Sequence, residues 1–426
     1  MLVFRCLVAV AFGTALLGGA APAAGESIES LKTAAKKPPK APEQALELGR
    51  ALRRAGLFND AVRVLRSSYA RAGAGELAER LRLEAARTYI AADQQKLARR
   101  ECDSFKGISR IKQQVCIGEA ALLWRRASLA LPAAERALEL SARDYDALVV
   151  KGRALQLMGK ASEAEAALRE AIAVDPSAFE APRYLGELLQ LAGRKADATA
   201  LLRKAEANAP QEPEVLVLLA GAVTPGNEAL KLLERAIAIR PDYGAAHASM
   251  GRVLAQQKQP ARAARALEKA ILTNPKNADW RAALARVRLD QGDAASALAE
   301  ARRALKLVAN HGPAKLAEAD ALAASGDIDM AIEAYEAAYG YSRMEPAALV
   351  HAARSCLSHK RPTTAQAFAE RATQSFPKWG PAWEVLGDVA RASNDKPVAR
   401  DAYKKALAGE GPVDRAAVQK KLSSLN

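Results

Sequence analysis

Three stretches of this chain read almost alike: "AIAVDPSAFE" (171–180), "AIAIRPDYGA" (236–245) and "AILTNPKNAD" (270–279). Their prolines keep a rhythm. Pro176 and Pro210 are 34 residues apart, Pro210 and Pro241 are 31, Pro241 and Pro275 are 34, and Pro275 and Pro377 are 102, three times 34. A fixed period in this range marks a repeat architecture. Proline lacks an N–H and disfavours helix in the residue before it, so each of these prolines closes a helical run.

The segment from Phe179 to Glu212 shows what one period builds. Leu185-Gly186 lies midway through a first helical pattern, and Gly193 ends it as a helix-terminating glycine does. Ala198, Leu202 and Ala205 then recur at spacings of four and three, the buried stripe of a second helix. Pro210 stops that helix. The unit is a helix–turn–helix hairpin whose small residues let the two helices approach closely. One hairpin cannot bury both of its faces, so hairpins must stack.

The bulk properties agree. Half of the 426 residues are apolar but only 5% are aromatic, so the core is mostly Ala and Leu, both strong helix formers. No run alternates as a strand would.

These units resemble tetratricopeptide repeats. "WEVLGDVA" places Trp383, Leu386 and Gly387 at that family's spacing. The unit from Tyr145 carries Gly152, Gly159, Ala164, Leu168, Ala171 and Pro176, and the unit from Gly244 carries Met250-Gly251, Ala263, Leu267, Ala270 and Pro275. The resemblance implies an all-α fold: an α-solenoid, wound as a right-handed superhelix, of about eleven hairpins. Units begin near Pro42, Glu79, Ile111, Tyr145, Phe179, Pro213, Gly244, Ala278, Gly312, Pro346 and Gly380. In the sixth, Pro225-Gly226 breaks the first helix early and Asn227 is placed to cap the second.

The ends read differently. Residues 1–23 have a single Arg5, an apolar run from Leu7 and small residues at Ala21-Pro22-Ala23, the pattern of a secretory signal peptide. Residues 24–41, which end in "KTAAKKPPKA", are expected to be a flexible Lys/Pro/Ala linker. The solenoid is expected over 42–412, and 413–426 reads as a C-terminal capping helix with Val413, Ala417 and Leu422 on one side. No later segment has 18 consecutive apolar residues, so no transmembrane segment is expected. These features predict an exported, soluble protein, periplasmic or extracellular. Export makes a disulfide between Cys102 and Cys116 an open expectation. The alternative is two small buried apolar side chains.

Catalytic chemistry has no foothold here. His247, His311, His351 and His359 form no metal-ligand spacing, and there is no nucleophile elbow, phosphate loop or dinucleotide fingerprint. No enzyme activity and no cofactor are expected.

The informative feature is a stripe. In ten units the residue directly after the small residue of the first helix is charged: Arg50, Arg87, Glu119, Arg153, Glu187, Arg252, Arg286, Asp320, Arg354 and Asp388. In the family that position faces a concave groove, so the resemblance implies a mostly basic inner row. The expected partner-binding residues are Arg50, Arg87, Arg153, Arg183, Arg252, Arg286 and Arg354. Arg offers a planar fork that suits carboxylates. The competing reading is that a wet groove simply needs charges. Some family members clamp a C-terminal carboxylate with a Lys and an Asn. Leu46, Val149, Arg183, Ala248, Ala282 and Val350 stand at the Lys position here, which does not support that use.

A net charge of +15 favours acidic partners, and nucleic acid does not fit an exported chain. Two functions follow: a non-catalytic scaffold of the cell envelope that binds an acidic protein or peptide in a secretion, motility, pilus or export complex, or a binder of polysaccharide or peptidoglycan supporting wall or polymer synthesis.

Overall fold

A computed structural model describes residues 27–73, 75–105, 110–341 and 347–425. The signal peptide read over 1–23 lies outside them. The described residues hold 24 helices and no strand. One isolated bridge, Trp379 with Glu410, ties the start of one late helix to the segment that follows its partner.

The helices pair as hairpins. A short α1 (Ile28–Lys36) precedes α2 (Pro42–Arg54) and α3 (Phe58–Ala72), then α4 (Glu76–Ala91) and α5 (Gln95–Asp103), α6 (Arg110–Leu123) and α7 (Ala127–Leu140), α8 (Tyr145–Leu157) and α9 (Ala161–Val174), and α10 (Glu180–Leu191) and α11 (Lys195–Asn208). Next come α12 (Pro213–Ala222), α13 (Asn227–Ile239), α14 (Gly244–Gln256), α15 (Pro260–Thr273), α16 (Ala278–Asp290) and α17 (Ala294–Leu307). The series closes with α18 (Gly312–Ala324), α19 (Ile328–Tyr341), α20 (Ala347–Ser358), α21 (Pro362–Ser375), α22 (Gly380–Ala392), α23 (Lys396–Ala408) and α24 (Arg415–Ser423). This is an all-α solenoid of hairpins. It divides into two units, residues 1–223 with 234–241 and residues 224–233 with 242–426.

Small residues set the packing. A Cβ added at Gly186 would stand 2.7 Å from Leu202 Cγ, and one at Gly387 would stand 2.5 Å from the Tyr403 ring. At Gly49, Gly152, Gly186, Gly251 and Gly387 the first helix therefore rests its backbone directly on a large side chain of the second. Tyr403 is fully buried, and its hydroxyl donates to Asp388 Oδ1 at 2.8 Å.

Three expectations need correction. Residues 28–36 are a helix, not an extended linker. Leu31 and Ala35, four apart, are buried in one cluster with Leu48, Leu52, Ala61 and Val64. Ser27 accepts from the Ser30 N–H, Glu29 pairs with Lys32, and Arg63 donates to the Ala35 carbonyl. The Lys/Pro composition hid this because it begins in earnest only at Lys36, where the helix ends. At the other end, α24 buries Val418 and lays Leu422 against α23, so the deepest apolar contact lies one residue beyond Ala417. In the sixth unit Asn227 is already helical, and the Leu230 N–H is taken by the Gly226 carbonyl, so Asn227 is not the cap.

The second helices differ at their N-caps. Asp293 accepts from the Ser296 N–H and Asp395 from the Val398 N–H, each satisfying a donor that the helix leaves open. At the same position α7, α9 and α11 carry Arg126, Lys160 and Arg194, with no side-chain cap. Such a cap contributes about 1 kcal/mol. A cation there also opposes the helix dipole.

Candidate functional site

The first unit encloses a hollow of about 1040 Å³. Stripe residues Arg50, Arg87, Glu119 and Arg153 all line it, as does Arg183. In α2, α4, α6 and α8 the residue after the small contact residue thus borders the space; Glu187 of α10 does not. The expected basic excess is absent. Eight cations line the hollow, but so do nine carboxylates.

Most of those charges are committed to one another. Arg87 meets Glu119 at 2.8 Å and Asp146 at 2.8 Å, and Lys112 meets Asp146 at 2.9 Å. Burial alone would raise the Asp146 pKa, but Arg87 and Lys112 outweigh it and hold the carboxyl well below its usual range. Arg53 Nε meets the buried Glu84 at 2.6 Å. Burial again opposes ionisation of Glu84, and Arg53, Arg87 and Arg50 overcome it. Arg50 also pairs with Glu47 at 2.8 Å. Arg87 and Arg50 are therefore parts of the wall.

Arg153 is different. It pairs with no carboxylate among the described residues. Its guanidinium lies 4.2 Å from the centroid of the Tyr184 ring, and that of Arg183 lies 4.0 Å from the same centroid. Nearby, the Tyr145 hydroxyl accepts from the Ala181 N–H at 2.9 Å. The guanidinium without a carboxylate partner among these is Arg153, stacked with Arg183 on the Tyr184 ring.

The hollow is also clasped. Arg240 Nε donates to the Arg54 carbonyl at 2.8 Å, and its Nη2 meets Glu214 at 3.0 Å. Arg54 lies 3.6 Å from Glu212. The last turn of α2 leaves carbonyls without helical partners, and Arg240 supplies a cation to them. Burial lifts the pKa of Glu212 against the pull of Arg53, and Glu214 beside it adds to the lift. Sequence reasoning missed Arg53, Arg54, Glu212, Glu214 and Arg240, because their meeting depends on how far the solenoid turns between them.

In the second unit Arg252, Arg286 and Arg354 sit exposed on α14, α16 and α20. Arg252 donates to Ser249 Oγ at 3.0 Å, Arg286 pairs with Asp320 at 2.8 Å, and Arg354 reaches Glu384 at 3.4 Å. Asp320 also receives the Tyr335 hydroxyl and faces His351 Nδ1. Cys102 on α5 and Cys116 on α6 are bonded, with Cα atoms 5.3 Å apart, inside a cluster with Leu83, Ala86 and Phe105. Cys356 is a buried free thiol.

Family models described as tetratricopeptide repeat match residues 151–213, 226–287 and 316–378. The chain is built from tetratricopeptide repeats. Among solved structures, these repeats are similar to the Cut9–Hcn1 hetero-tetramer of the APC/C, at 12% identity over 93% of each chain with a TM-score of 0.49. Yeast Tom70 matches at 12% identity over 93% of this chain and 91% of that one, with a TM-score of 0.49. A tetratricopeptide repeat protein from Parabacteroides merdae matches at 13% identity over 66% of this chain and 98% of that one, with a TM-score of 0.43. No curated protein matches the chain in sequence. The repeats suggest a protein–protein interaction scaffold. No helix among the described residues is long and apolar enough to cross a membrane.

Proposed function

We propose that this chain is a non-catalytic scaffold of the cell envelope, and that it holds an acidic segment of a protein partner in the hollow of its first unit. The observation that carries the reading is the Arg153–Tyr184–Arg183 group. It presents the Arg153 guanidinium, which pairs with no carboxylate among the described residues, in a concave space where most other charges are paired. An extended peptide could place a carboxylate against Arg153 while its backbone uses the polar wall, a geometry suited to a guanidinium fork. In the second unit exposed Arg252, which donates to Ser249 Oγ and pairs with no carboxylate among the described residues, offers a further carboxylate contact.

The envelope assignment draws support from two features: the leader-like composition of residues 1–23 and the Cys102–Cys116 bridge, since disulfides persist in oxidising compartments. A polysaccharide ligand is less well served. Sugars bind on open aromatic faces, and the Tyr184 ring already carries a guanidinium at 4.2 Å and another at 4.0 Å.

The test is affinity capture of a defined protein from envelope extract at several salt concentrations. Salt-sensitive capture that Arg153→Ala weakens supports the reading. Capture of polymer instead of protein, or capture indifferent to Arg153→Ala, sinks it.

A further inference from the structure

The turns that close the hairpins of the first unit carry an apolar and basic surface. At the edge formed by α4–α5, α6–α7, α8–α9 and α10–α11, Leu97, Leu129, Leu157, Met158 and Leu191 are exposed, Leu191 by 76%. Large apolar side chains exposed together mark an interaction surface. Interleaved with them, and also exposed, are Lys96, Arg125, Arg126, Lys160, Arg194 and Lys195. Three carboxylates share the edge: Asp93, Glu163 and Asp197. Lys160 pairs with Glu163 at 3.2 Å and Arg194 with Asp197 at 2.7 Å, both on the surface. Arg194 also reaches back to Glu165 of the preceding hairpin at 3.0 Å, which joins neighbouring turns.

These cations stand where the helices do not want them. Arg126, Lys160 and Arg194 occupy, in three successive hairpins, the N-cap position that Asp293 and Asp395 use to satisfy backbone donors; in the second unit Arg361 alone repeats the cation there. Arg125 adopts φ of +53°, the left-handed region that the next two turns fill with Gly159 and Gly193. Lys160 and Arg194 keep ion pairs on the surface, but none of the three satisfies the backbone donors at its helix start. An apolar fringe set among cations matches the interface of an anionic bilayer, where Leu and Met enter the acyl boundary and Lys and Arg meet headgroups.

We infer that the turn edge of the second to fifth hairpins docks on an anionic membrane surface, leaving the hollow free for the protein partner. The hairpins stack first helix on first helix, α4 on α6, α6 on α8 and α8 on α10, so the turns of this unit follow one another along a single edge.

Vesicle flotation tests this. The probes are vesicles of phosphatidylcholine alone and of phosphatidylcholine mixed with phosphatidylglycerol. The protein should float with the mixed vesicles, lose binding as salt rises, and leave the neutral vesicles unbound. The triple variant Arg126→Asp/Lys160→Asp/Arg194→Asp should weaken that binding by roughly 100-fold while retaining full helicity by circular dichroism. A second variant, Leu129→Ser/Leu157→Ser/Leu191→Ser, should weaken it as well. Parent and variants share the same ends, so any difference reads this edge. Failure to float with anionic vesicles overturns the proposal. So does equal flotation of parent and both variants, or an edge that captures an acidic protein but no vesicle.

Discussion

Arg240 donates to the carbonyl of Arg54 at 2.8 Å across 186 positions of chain. The contact brings the end of α13 onto the last turn of α2 and closes the first unit on itself. Arg240 is almost fully buried, and removing it would strand the Arg54 carbonyl and leave Glu214 to Arg183 and Arg53. Arg240→Ala should cost about 1.5–3 kcal/mol, the range for a hydrogen bond to a charged group. Hydrogen exchange should accelerate at the amides of α2, while amides of α20–α23 keep their protection. Unchanged exchange in α2 would refute the clasp.

The Arg87–Asp146 pair makes the first unit sensitive to acid. The Asp146 pKa is lower folded than its ordinary value of about 3.8, so its contribution is fully present above that value. It is lost as pH falls through the lower folded value. Asp146→Asn should reduce stability at neutral pH by about 1–3 kcal/mol and flatten the acid limb of the stability curve below pH 3.8. Urea unfolding of parent and variant across that range is the measurement.

The N-cap contrast predicts gains and losses of opposite sign. Arg126→Asp should raise stability by roughly 1 kcal/mol and Asp293→Ala should lower it by about as much. Calorimetry on the two variants reads both. If both substitutions destabilise, Arg126 has a folding role that its single contact, with the Trp124 ring at 5.5 Å, does not reveal.

Close approach at Gly387 overrides helix propensity. Alanine is the better helix former by about 1 kcal/mol. A methyl at this position would nonetheless meet the Tyr403 ring at 2.5 Å, and that ring is pinned by burial and by Asp388. Gly387→Ala should therefore destabilise by about 1–3 kcal/mol. Gly326, which faces open space at positive φ, should tolerate alanine only with backbone strain and no packing defect.

The disulfide spans 14 residues, a loop length for which cross-linking restricts the unfolded chain by about 3 kcal/mol. Reduction should lower the unfolding midpoint of the first unit. With four cysteines in the chain, the denatured, unreduced full-length protein should titrate two thiols, Cys6 and Cys356.

Much of the fold is legible in the sequence. The proline and glycine rhythm gave the hairpins, because helix stops and close contacts demand those residue types. In the first unit four stripe residues, Arg50, Arg87, Glu119 and Arg153, line the hollow. The stripe's pairing was also legible in part: Arg87 is followed one unit later by Glu119, and Arg286 by Asp320, and each pair meets at 2.8 Å. Counting arginines concealed that cancellation. Helix α1 was hidden because Leu31 and Ala35 are a short signal beside a dense Lys/Pro run. The Arg240 clasp and the Glu212–Glu214 cluster were out of reach, since the per-unit rotation that unites them is a sum of small angles no single residue encodes.

The most direct test of the scaffold reading is photo-crosslinking in envelope extract, with the crosslinking residue placed at Tyr184 in the hollow or at exposed Lys204 on α11. The account predicts a discrete protein adduct from position 184 that fades with Arg153→Ala, and none from position 204. Adducts of equal yield from both positions, or none from 184, would contradict it.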